Sequence, residues 1–117
     1  MNGNNAHLTD GEIAEYQDKG WIVPRWELPA ELIAEMRCEY ERLIERNPDI
    51  ESDIMLAPHQ TNGGSMGLAG SEKWFEFATH PGLVTIARQL IGDDIILWGT
   101  TIFGKPAHCG KETPWHQ

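Results

Sequence analysis

The run Ile95-Ile96-Leu97-Trp98-Gly99-Thr100-Thr101-Ile102-Phe103 is the one long stretch of β-branched and aromatic residues in the chain. Such a stretch reads as a strand. A single strand leaves its backbone donors and acceptors without a ladder, so it demands partner strands. Almost everything before it has helical periodicity or none. The expected fold class is therefore α+β, with helices first and a sheet that has only begun.

The helical signals are local and specific. Thr9 opens the first helix: its hydroxyl caps the first turn, and Glu12, three residues on, completes a capping box. Gly20 supplies the stop. Trp21-Ile22-Val23, ended by Pro24, predicts a brief strand. Pro29 suits the first turn of a second helix, where a missing N–H costs nothing. In that helix Leu32, Ile33, Met36, Tyr40, Leu43 and Ile44 recur at helical spacing. Glu31, Glu35, Glu39, Arg42, Glu45 and Arg46 make the opposite, solvated face, and Asn47-Pro48 ends the helix. Residues 49–70 show no period, and Gly63, Gly64, Gly67 and Gly70 predict a long loop, a kind of segment that often serves function. Ser71 caps a short helix to Ala78, and His80-Pro81 breaks it. Leu83, Val84, Ala87, Leu90 and Ile91 form the apolar face of another helix, stopped by Gly92. After the strand, Pro106 begins a polar loop, and Pro114-Trp115-His116-Gln117 reads as the opening of a further strand. Residues 1–7 read as a loose tail.

Composition narrows the partners. The length of 117 residues suits one domain. An apolar fraction of 40% with five Trp predicts a globular protein with a real core, in which Trp98 and Trp115 are expected to pack. The formal net charge is -9, and residues 1–56 hold 13 of the 18 acidic side chains against 5 of the 9 basic ones. That balance excludes nucleic acid and an anionic membrane surface as expected partners. Met1 to His7 is too polar for a signal peptide. No apolar run approaches the ~20 residues of a membrane span. Cys38 and Cys109 form no CxxC pair and predict two reduced thiols in a cytoplasmic protein.

Among the five histidines, His7 falls in the tail, His59 in the glycine-rich loop and His80 at a helix end. His108-Cys109 lacks the second pair that a zinc site needs. His116 stands apart by its setting. Residues i and i+2 of a strand face the same way, so a His-x-carboxylate pair aims two ligands into one cavity. With a distant His it makes a facial triad that leaves iron positions open.

The stretch from Leu97 to Pro106, followed by Gly110-Lys111-Glu112-Thr113-Pro114-Trp115-His116-Gln117, resembles bacterial members of the phytanoyl-CoA dioxygenase family, in which a strand enters a Lys-Pro turn, a polar loop and then Trp-His-Gln-Asp. Leu8-Thr9-Asp10-Gly11-Glu12-Ile13, Tyr16 and Gly20-Trp21-Ile22-Val23-Pro24 resemble the family's opening helix and strand. His80-Pro81-Gly82-Leu83 with Leu90-Ile91-Gly92 matches a third segment.

The resemblance implies a double-stranded β-helix, a jelly-roll, cupin-like barrel with these helices buttressing one sheet. It implies an Fe(II)/2-oxoglutarate-dependent dioxygenase that hydroxylates a small organic molecule with O₂. His116 matches the first iron ligand, and Gln117 is expected to point away from the metal. Lys105 is a candidate for contact with the co-substrate. The second carboxylate ligand, the distal His and the Arg for 2-oxoglutarate fall outside residues 1–117, so the chain is expected to be the N-terminal part of a single oxygenase domain and inactive by itself. A small residue in place of the carboxylate would imply halogenation. Two other classes remain open: a non-catalytic helical interaction module, which accounts for Leu32 to Ile44 but not for the Pro-Trp-His ending, and a cupin-like metal protein, which shares His116 without 2-oxoglutarate.

Overall fold

The computed structural model describes residues 5–117. Four helices and two short strands follow in the order α1 (Asp10–Lys19), α2 (Ala30–Arg46), β1 (Met55–Leu56), α3 (Lys73–Ala78), α4 (Pro81–Ile91) and β2 (Thr101–Ile102). Among the described residues no helix is long and apolar enough to cross a membrane. The chain divides into two compact units. One comprises residues 5–36 with Phe77–Trp98, and the other Arg37–Glu76 with Gly99–Gln117.

In the first unit, α1 forms where the capping signals put it. The Thr9 side chain accepts from Glu12 N, and the Glu12 carboxylate accepts from Thr9 N at 2.8 Å. Gly20 takes the left-handed conformation at φ 80° and its N–H closes the last turn on Tyr16 O. His80 is the N-cap of α4: its Nδ1 accepts from Gly82 N at 3.1 Å, with Pro81 at the first helical position. α4 packs on α1. Gly82 is buried where a Cβ would run into the Trp26 ring and meet Ala6 Cβ at 3.0 Å.

Residues 5–7 were expected in a loose tail, whose first four residues lie outside the described region. The described part is held. The Gln89 side-chain amide accepts from Leu8 N at 2.7 Å and donates to Leu8 O at 3.1 Å, as a neighbouring strand would. Leu8 is 1% exposed and Ala6 is also buried. The Leu8 backbone is held by a residue 81 positions away, which no local pattern announces.

The second unit is built on a closed loop. β1 and β2 pair antiparallel, Met55 opposite Ile102 and Leu56 opposite Thr101. Ala57 N–H continues the ladder to Thr100 O, although Ala57 itself has φ 55°. The stretch 49–70 is a loop, as expected, yet it is packed rather than loose. Met55, Pro58 and Leu68 are buried, Gly63 and Leu68 form a bridge, and Ser71 N donates to Pro58 O at 2.7 Å. At Gly70 a Cβ would run into the Pro58 and Gln60 carbonyls, so only glycine fits.

Five expectations are corrected. Trp21-Ile22-Val23 forms no ladder among the described residues; Trp21 instead lies under Lys19 Nζ, 5.8 Å from its ring centre. The strand expected over 95–103 shrinks to Thr101–Ile102, because only β1 lies beside it, and Pro114 onward is not a strand. β-Branched residues favour extended backbone, but a strand exists only where a partner completes the hydrogen bonds. Glu39 is buried at 6% exposure instead of solvated. It stands one turn before the fully buried Leu43 and shares its side of α2, with its charge met by Arg42 at 2.8 Å and Arg46 at 4.0 Å. Finally, the core does not use the tryptophans as expected. Trp74 is buried, while Trp98 is 97% exposed and Trp115 is fully exposed.

Candidate functional site

The segment that carries the motif leaves β2 at Gly104. The Gly104 N–H donates to Ser52 O at 2.9 Å. A Cβ at Gly104 would run into Tyr40 Oη and lie 2.7 Å from Ser52 O, so this close approach requires glycine. Beyond it the chain turns through 107–109, where His108 has φ 67°, and every residue from Lys105 to Gln117 is exposed.

His116 Nδ1 lies 2.9 Å from Pro114 O. A carbonyl only accepts, so Nδ1 carries a proton, and in the neutral ring this leaves the lone pair on Nε2. Lys105 lines a cleft of about 170 Å³ with Asp53, Phe103, Lys111, Glu112 and Pro114. A larger apolar groove of about 380 Å³ belongs to the other unit and is lined by Leu83, Val84, Ala87, Ile91, Ile95 and Ile96, with Arg88 as its one ionisable side chain. Its lining suits packing rather than catalysis, so the smaller cleft beside the motif, lined by the charged Asp53, Lys105, Lys111 and Glu112, is the better candidate.

Three of the other histidines have other employment. His59 Nδ1 lies 2.7 Å from Thr100 Oγ1, half-buried at the end of β1. His80 caps α4, and His7 lies 3.4 Å from Gln89 Nε2. Cys38 and Cys109 are free thiols. Among the described residues no three His, Cys, Asp or Glu side chains are gathered as a metal would need. The described residues therefore do not by themselves compose a metal centre.

Lys111 is the residue that spacing did not reveal. Its ammonium pairs with Glu51 and lies 3.6 Å from Asp53 Oδ2. The Glu51 carboxylate, then Asp53, raises the Lys111 pKa above the ordinary lysine value. The partners are 60 residues apart in sequence, so no motif could have announced them.

The description of the phytanoyl-CoA dioxygenase (PhyH) family matches residues 16–117, which takes in α1 from Tyr16, all later elements and the Pro-Trp-His motif. No curated protein and no solved structure matches the chain. A match over so much of the sequence is decisive for kinship: the chain belongs to the phytanoyl-CoA dioxygenase family.

Proposed function

We propose that this chain forms the N-terminal part of an oxygenase domain that hydroxylates a small organic molecule, using Fe(II), 2-oxoglutarate and O₂. Family membership supports the reaction class, because members depend on Fe(II) and 2-oxoglutarate. The observation that carries the site assignment is the His116 hydrogen bond to Pro114 O. Metal-bound histidines commonly donate their second ring N–H to a carbonyl or carboxylate, which fixes the tautomer and aims the free nitrogen. On this reading His116 is the first metal ligand, through Nε2.

One imidazole does not hold catalytic iron, so the reading requires two further ligands from beyond the described residues. The metal, when bound, templates the meeting of 2-oxoglutarate with O₂. The overall reaction balances as 2-oxoglutarate, O₂ and R–H giving succinate, CO₂ and R–OH. Lys105 contributes an exposed ammonium on the cleft that ends at Pro114, two residues before His116, and there it attracts a carboxylate of the co-substrate. The proposed barrel is a double-stranded β-helix with the helices outside. The uncovered side chains of Ile96, Trp98 and Phe103, on the most β-prone segment of the chain, support further strands laid beside it.

The test is anaerobic equilibrium dialysis of Fe(II) with 2-oxoglutarate on the full-length gene product. One Fe(II) per chain is expected, lost in H116A, with 2-oxoglutarate retention weakened in K105A. Unchanged iron binding in H116A would remove His116 from the site. Iron binding without 2-oxoglutarate dependence would favour a cupin-like metal protein.

A further inference from the structure

We propose that Lys111 is a positioning residue that sets the orientation of the His116 imidazole. Residues 105–117 are exposed throughout, and among the described residues Lys111 is the one side chain of this segment that bonds outside it. A single turn, 51–53, holds the loop at both ends. Ser52 O takes the Gly104 N–H at the start, while Glu51 and Asp53 hold the Lys111 ammonium at the finish. Four residues then lead to His116. Within them Pro114 has a fixed φ and offers the carbonyl that His116 Nδ1 uses. Exposed ion pairs are individually weak, but no buried side chain of this segment competes to place it, so the pair to two carboxylates decides where the segment lies.

The inference rests on the reading of His116 as a metal ligand for its consequence alone, since the orientation itself can be observed without metal. Free histidine favours the Nε2–H tautomer, whereas the bond to Pro114 requires Nδ1–H. The experiment is nitrogen NMR of the His116 ring in the full chain, at a pH where the imidazole is neutral. The wild type is expected to show Nδ1–H. K111M and the double variant E51Q/D53N are expected to lose that signature in favour of Nε2–H, and K111R to keep it, since a guanidinium reaches the same carboxylates. The Asn47 side-chain resonances report that the rest of the unit is folded in each variant. An Nδ1–H tautomer that persists in K111M, or is absent from the wild type, overturns the proposal. Should the tautomer respond as expected while the wild type takes up no Fe(II), the positioning stands and the ligand reading fails.

Discussion

Asn47 and Ala69 exchange two hydrogen bonds: the Ala69 N–H donates to Asn47 Oδ1 at 2.7 Å, and Asn47 Nδ2 donates to Ala69 O at 3.1 Å. The same Nδ2 donates to Leu43 O at 2.8 Å, so one buried amide ends α2 and closes the loop that follows it. The closed loop carries β1 and the turn 51–53 on which the motif segment stands.

Replacing Asn47 with Ala removes the side-chain partner of the Ala69 N–H and of the Leu43 carbonyl, and leaves Ala69 O with the longer bond from Arg46 Nε at 3.4 Å. An unsatisfied buried polar group costs about 1–3 kcal/mol, so N47A is expected to lower stability by about 2–3 kcal/mol in urea unfolding. N47D keeps the acceptor and loses the donor, and it adds a charge in a buried place. It is therefore expected to be no better than N47A at neutral pH. Equal midpoints for N47A and the wild type would show that the loop closes without this amide.

Gly104 offers a test of close packing. Its Cα faces the Tyr40 hydroxyl and the Ser52 carbonyl with no room for a methyl group. Overpacking of this kind typically costs about 1–3 kcal/mol, and G104A is expected to fall in that range. Y40F removes one of the two obstacles, so the double variant is expected to be more stable than the sum of the single effects predicts. Additive effects in thermal or urea unfolding would mean that the Ser52 carbonyl alone sets the limit. At Gly70 both obstacles are backbone carbonyls, and no side-chain change is expected to rescue G70A.

Glu12 links the first helix to pH. Its Oε1 accepts from Arg25 N and its Oε2 from Thr9 N, each at 2.8 Å. The Arg25 N–H foremost, then the Thr9 N–H, holds the Glu12 carboxyl below the ordinary glutamate range. A folded-state pKa that is depressed contributes stability above the unfolded value, about 4.3 for glutamate, and that contribution is lost as pH falls through the folded value. Acid unfolding below about pH 4.3 is therefore expected to be shallower in E12Q, which keeps an acceptor oxygen but does not titrate. Parallel midpoint-against-pH curves for E12Q and wild type between pH 6 and 3 would remove this carboxyl from the acid response.

What could be read in the sequence was what local chemistry decides. Thr9 with Glu12, Gly20, Ser71, His80-Pro81 and Gly92 each mark a helix end by forces that act within a few residues, and the helices end there. What could not be read depends on distant partners. The Leu8 backbone is held by Gln89, β1 exists because Thr101 and Ile102 lie opposite it, and Glu39 is buried because it shares a side of α2 with Leu43. The motif was legible as residue types, His116 above all. The tie from Lys111 to Glu51 and Asp53 was not, since charges so far apart in sequence show no spacing. The tryptophans make the same point in reverse. Their size predicts burial, but Trp98 is covered only if another element lies over it.

That exposed run leads to the last prediction. Ile96 is 87% and Trp98 97% exposed on a β-prone segment, while among the described residues no strand pairs with 95–99. Such a segment is a template for pairing with another chain. I96K and W98K remove little buried area, so each is expected to change stability by less than about 0.5 kcal/mol. Self-association, measured by sedimentation velocity across a concentration series, is expected to fall in both and furthest in the double variant. A charge on this segment also interferes with strands laid beside it in the proposed barrel. In a longer chain that carries the proposed barrel, the same substitutions are then expected to destabilise by several times more than in the 117-residue chain. Equal effects in the two would mean that nothing covers Trp98 in the longer protein, and the barrel reading would lose its structural support.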